Sequence, residues 1–90
     1  MLIQVTQGDI DTANSIRDGD PVMGVGLYCP VTQALLRRGY TRVQVKEDEI
    51  VCGIGVDAIR WRLSRATAGR IRHWDKTGMI LPFNFHLGVP

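Results

Sequence analysis

The chain has few of the groups that build bridged, metal-holding or reactive sites. Its 90 residues include 2 cysteines, Cys29 and Cys52, and 2 histidines, His73 and His86. Two cysteines do not make a disulfide framework. A zinc site would need all of these residues, and the short paired spacings that mark such a site are missing. The acids form no cluster: Asp9 and Asp11 read as helix-start charges, and Glu47, Asp48 and Glu49 as a solvated turn. Neither metal nor cofactor is therefore expected. No run approaches the roughly 18 apolar residues that a membrane span needs, and Met1-Leu2-Ile3-Gln4-Val5 has no basic leader region. The sequence reads as cytoplasmic, with reduced thiols and no membrane contact.

What is present suits one small domain. A chain of this length buries only about 60–65% of its unfolded surface, so oligomerisation is the natural source of further burial, and a homo-oligomer is expected. The formal net charge is +2, but it is uneven. The first part holds Asp9, Asp11, Asp18 and Asp20 against Arg17. The last part holds Arg60, Arg62, Arg65, Arg70, Arg72 and Lys76 against Asp57 and Asp75. Arginine dominates there, and its planar fork suits phosphate or carboxylate. A solvated basic face is the plainer alternative.

Periodicity gives the elements. Leu2–Thr6 alternates as a short strand, and Gly8–Ser15 reads as a short helix. Arg17–Tyr28, with Gly19, Asp20-Pro21, Gly24 and Gly26, reads as a loop of the length that often carries function. Cys29-Pro30 opens a helix with Val31, Ala34 and Leu35 inward, stopped at Gly39. Thr41–Lys46 and Glu49–Cys52 form a hairpin about Glu47-Asp48. Ala58–Leu63 is a strand with Ile59, Trp61 and Leu63 on one face and Arg60 and Arg62 on the other. Ser64 caps a helix running to about Thr77, with Ala68, Ile71 and Trp74 inward and Gly78 as its stop. Pro82–Leu87 is a last strand in an edge position. The fold class is α+β, a small antiparallel sheet with helices packed on one face, in the order β-α-α-β-β-β-α-β.

Three constellations bear on function. Gly53-Ile54-Gly55-Val56-Asp57-Ala58 matches the dinucleotide fingerprint in letters, but a strand follows where a helix is required. Gly24-Val25-Gly26 runs through Tyr28 into a helix start, where free N–H groups favour anions. There Tyr28 could stack on a base while Thr32 and Gln33 donate hydrogen bonds; the alternative is a hinge with Tyr28 in the core. Arg60, Arg62 and Arg65 are the third set, placed to converge on phosphates or on an acidic protein surface.

The segments Cys29-Pro30-Val31-Thr32-Gln33-Ala34-Leu35, Val43-Gln44-Val45, His73-Trp74-Asp75-Lys76-Thr77-Gly78 and Pro82-Phe83-Asn84-Phe85-His86-Leu87 together resemble a family of small phage and prophage proteins. The resemblance implies a setting in the host cytoplasm and a role in countering host defence. Some such proteins soak up cyclic oligonucleotide or ADP-ribose signals, and others block a defence enzyme.

Function is therefore expected as binding without catalysis. The first reading is sequestration of a small phosphate-bearing nucleotide, with Arg60, Arg62 and Arg65 on phosphates and Tyr28 or Trp61 on a base. Trp61 is the weaker stacking candidate, because it lies on the inward face. The second is an inhibitor that binds a host defence protein, such as a CRISPR effector. A nucleic-acid binder comes third, disfavoured by the low net charge and the lack of a recognition helix. A Cys29-dependent enzyme, with His73 or His86 as partner, completes the set.

Overall fold

The computed structural model describes residues 1–19 and 24–88. The turn read at Asp20-Pro21 lies outside the described residues. Eight regular elements follow in the order read from the sequence: β1 (Leu2–Val5), α1 (Gln7–Asp18), α2 (Pro30–Arg37), β2 (Val43–Val45), β3 (Glu49–Cys52), β4 (Ile59–Arg62), α3 (Arg65–Thr77) and β5 (Phe83–His86). The strands divide between two small antiparallel sheets, β1-β5 and β2-β3-β4.

Helices α1 and α3 start where a side chain satisfies free N–H groups, and α2 starts at a proline. Thr6 caps α1 and makes a reciprocal box with Asp9: the Asp9 N–H donates to Thr6 Oγ1 at 3.2 Å, and the Thr6 N–H to Asp9 Oδ2 at 2.9 Å. Ser64 Oγ accepts from the Thr67 N–H at 3.2 Å and starts α3. Pro30 occupies the first turn of α2, where a missing N–H costs nothing.

Helix α1 extends beyond the expected Ser15 to Asp18, so Arg17 is helical rather than part of a loop. The extra turn has a tertiary cause. Trp74 of α3 is fully buried, and its indole N–H donates to Asn14 Oδ1 at 2.7 Å. Asn14 Nδ2 donates in turn to the Gly78 carbonyl at 3.1 Å, and Arg17 Nη1 to the Trp74 carbonyl at 2.9 Å. The Arg17 guanidinium also lies 5.5 Å from the centre of the indole ring. Gly78, at φ 71°, provides the left-handed residue that ends α3. Two helix ends are thereby tied through one tryptophan.

A second tie joins α2 to the N-terminal segment. Arg37 donates through Nε and Nη2 to the two Asp9 carboxylate oxygens, each at 3.2 Å, and through Nη2 to the Gln4 carbonyl at 2.9 Å. Arg38 Nη1 donates to the Leu2 carbonyl at 3.0 Å. The core between these ties is made by Ile3, Val5, Ile10, Leu35, Ile50 and Trp74, among others. Among the described residues, no buried side-chain nitrogen or oxygen lacks a hydrogen-bond partner.

Burial alone raises the Asp9 carboxyl. The hydrogen bond from Arg37, those from Thr6 and the Arg37 charge outweigh it and hold the group below the usual carboxylate range. The unfolded chain therefore binds the proton first as pH falls. Asp9 contributes its full stability above about pH 4 and loses it as pH drops through the lower folded value. Urea unfolding at a series of pH values is expected to show a shallower acid-side fall in Asp9→Asn than in the parent protein. Identical slopes would contradict this role.

Candidate functional site

The register of the three-stranded sheet sorts its side chains. Cys52 pairs with Val43 and Ile59, Val51 with Gln44 and Arg60, Ile50 with Val45 and Trp61, and Glu49 with Arg62. Because side chains alternate along a strand, Val43, Val45, Ile50, Cys52 and Trp61 face the core, while Gln44, Glu49, Val51, Arg60 and Arg62 form the outer face. Arg60 and Arg62 are both exposed there, side by side as the sequence indicated. Arg60 Nη1 reaches Glu49 Oε1 at 2.9 Å, and Lys46 Nζ approaches the same oxygen at 3.7 Å. Arg62 makes no ion pair among the described residues. One glutamate thus sits among three cations, and the face keeps a positive excess. Val51 is only 7% exposed yet stands outside the core cluster, as expected for a small side chain flanked by longer polar neighbours on the outer face.

Arg65 does not join this pair. It opens α3 and lines a surface cavity of about 490 Å³ with Glu47, Asp48, Leu63, Ala68 and Arg72, to which neither Arg60 nor Arg62 contributes. The two acids on its wall oppose a phosphate at that place. The three expected arginines thus stand on two surfaces: Arg60 and Arg62 on the sheet face, Arg65 on the cavity wall at the start of α3.

The aromatic and polar partners expected around a nucleotide are taken up by the core. Tyr28 is 6% exposed, and its ring meets Trp74 edge-on with centroids 6.0 Å apart. Trp61, also 6% exposed, meets Tyr40 edge-on at 5.6 Å and donates its indole N–H to the Gly88 carbonyl at 3.1 Å. Neither ring offers a face to a base. Thr32 is fully buried and donates to the Gly26 carbonyl at 2.7 Å. Gln33, half-buried, donates through Nε2 to the Tyr28 carbonyl at 3.2 Å.

The Gly24–Gly26 stretch is not a free flap. Val25–Leu27 form a 3-10 turn, and Gly26 lies so close to β2 that an added Cβ would overlap the Val45 carbonyl oxygen. The glycine serves a close approach, not motion. The Gly53–Ala58 stretch likewise leads through a 3-10 turn at Gly55–Asp57 into β4, with no helix after it.

Cys29 is fully buried beside the Thr32 hydroxyl, with Sγ to Oγ1 at 3.3 Å, while His73 and His86 are exposed. Burial pushes its thiol up, and the hydrogen bonds around Thr32 and Val31 do not offset that rise. Burial raises Cys52 as well. The cysteine–histidine pair that catalysis would need is not assembled. Among the described residues no group of three or more His, Cys, Asp or Glu could hold a metal ion, and no helix is long and apolar enough to cross a membrane.

The outer row also holds Lys46 and Glu49, the strand residues that flank the Glu47-Asp48 turn. The two-residue turn at Glu47-Asp48 fixes their place: the Lys46 N–H donates to the Glu49 carbonyl, at 2.7 Å, and sets the register. Comparison with protein families, curated proteins and solved structures gives no match.

Iodoacetamide at neutral pH is expected to label neither cysteine in the folded protein and both in urea. Rapid labelling of native Cys29 would contradict the packing described.

Proposed function

We propose that this domain is a non-catalytic binding module that engages an acidic region of a partner protein through the outer face of β2-β3-β4. The observation that carries the reading is the contrast between two sets of residues: Arg60 and Arg62 stand exposed on that face, whereas Tyr28 and Trp61 are packed inside. A nucleotide pocket needs a stacking surface and converging cations, and the packing weighs against both. The choice of a protein over a nucleic acid rests on charge. Glu49 lies within the cationic row, Glu47 and Asp48 lie beside Arg65, and the whole chain carries only +2. A polyanionic backbone would meet repulsion at these acids, whereas a protein surface can place carboxylates and neutral groups to match. The phage resemblance supplies the setting, an inhibitor acting on a host defence protein.

Exposed charges steer association and are screened over about 8 Å at physiological salt. Binding of poly-glutamate, followed by thermal shift and calorimetry, is expected to weaken with added salt. It should fall by about tenfold or more, about 1.4 kcal/mol, in the double variant Arg60→Glu, Arg62→Glu. Cyclic dinucleotides and ADP-ribose are expected to leave the melting temperature unchanged. A nucleotide-dependent rise that survives the double variant would overturn the reading in favour of sequestration.

A further inference from the structure

The two sheets have four outer strand edges, and they differ in what meets or flanks them. On β1 the outward carbonyls of Leu2 and Gln4 accept from Arg38 and Arg37. On β2 the edge is met by the turn at Val25–Leu27, with Gly26 against Val45. On β5 the outward residues are Asn84 and His86, which follow Pro82 and include no arginine or lysine. Edge β4 is the fourth. The Leu63 N–H donates to the Asp48 carbonyl at 2.9 Å, and antiparallel ladders alternate, so Ile59 and Trp61 turn their backbone groups toward β3. The N–H and C=O groups of Arg60 and Arg62 therefore point away from the sheet, and no strand among the described residues pairs with them.

We propose that β4 receives an extended acidic segment of a partner protein as an added antiparallel or parallel strand, through the backbone groups of Arg60 and Arg62. This rests on the reading of the outer face as the binding surface, and it specifies how the partner is held. An added strand lies about 4.8 Å away, with alternate side chains on opposite faces. Those on the outer face would stand beside the Arg60 and Arg62 guanidiniums, so carboxylates at alternate positions are selected. Those between would lie beside Trp61 and Ile59. Ile59 belongs to the inner face yet is 38% exposed, because the edge leaves its flank uncovered. Ile54 and Val56, 68% and 102% exposed, precede β4 in the chain and add apolar surface near its start. The required segment alternates acidic and apolar residues.

The same chemistry argues against a second copy of this chain as the occupant. Two β4 strands paired about Trp61 would set Arg60 of each copy opposite Arg62 of the other, and like charges directly opposite are destabilising.

A soluble peptide alternating Glu and Val is the probe, with a Lys–Val peptide as control, titrated into isotope-labelled protein at neutral pH. The expected result is saturable binding of the Glu–Val peptide only. Amide exchange at Arg60 and Arg62 should slow by about tenfold or more at saturation while Asn84 and His86 stay unchanged. The Arg60→Glu, Arg62→Glu and the milder Arg60→Gln, Arg62→Gln double variants, with folding checked by tryptophan fluorescence, should each lose the binding. Binding that leaves the two amides exchanging freely overturns strand addition and leaves the charged-face reading standing. Protection that persists undiminished in both double variants overturns the charged-face reading itself. Protection of the two amides in a dimer of the protein alone, seen by sedimentation, assigns the edge to a second copy and overturns the proposal. Absence of binding overturns it as well.

Discussion

The burial of Trp74 is the constraint on which the rest of this small fold depends. An indole that leaves water must keep its N–H satisfied, because an unpaired buried donor costs about 1–3 kcal/mol. Asn14 meets that need at 2.7 Å and uses its amide nitrogen to hold the end of α3. Arg17 holds the Trp74 carbonyl, and Tyr28 seals the ring's edge. One side chain thereby sets the length of α1, the end of α3 and the position of Tyr28 ahead of α2. In a domain with little core to draw on, such a node removes freedom from several elements at once.

That constraint also shapes the functional reading. A tyrosine packed against Trp74 cannot stack on a ligand, and a threonine bonded to the Gly26 carbonyl has no donor to offer one. The helix start at Cys29-Pro30 keeps its apolar packing and loses its appeal as an anion site. The cations of β4 lie apart from this node. They meet solvent, Arg60 pairs with Glu49, and both sit on an edge strand whose outward backbone groups no strand among the described residues takes up. A binding surface in a protein this small falls naturally on such an edge, since every deeper position is needed for the core.

Much of the fold was legible in the sequence because local signals agreed. Pro30 and Gly39 bracket α2, Ser64 and Gly78 bracket α3, alternation marks β2 and β4, and the Glu47-Asp48 turn marks β3 as the returning strand. The place of Arg60 and Arg62 on one face follows from period two alone. The parts that were not legible depend on partners far away along the chain. Arg17 reads as loop because glycines and a proline follow it. It is helical because the Trp74 carbonyl, 57 positions on, accepts its hydrogen bond. Tyr28 carries the same local signals in a core as in a ligand loop, and only the tertiary neighbour Trp74 decides between them. Gly24 and Gly26 suggest mobility by composition, yet Gly26 is small so that β2 can approach. The division into two sheets is likewise set by packing, since no strand's own letters specify which neighbour it takes.

The central claim is that Tyr28 and its turn belong to the core, leaving the sheet face to bind. Native-state hydrogen exchange tests it most directly, read at the Trp74 indole N–H and at the Leu27, Tyr28 and Cys29 amides. The account requires these sites to exchange only with the free energy of global unfolding measured by urea. Exchange through a local opening several kcal/mol below that value, with the rest of the core still protected, would show a Tyr28 segment that leaves its packing, and the account would be wrong.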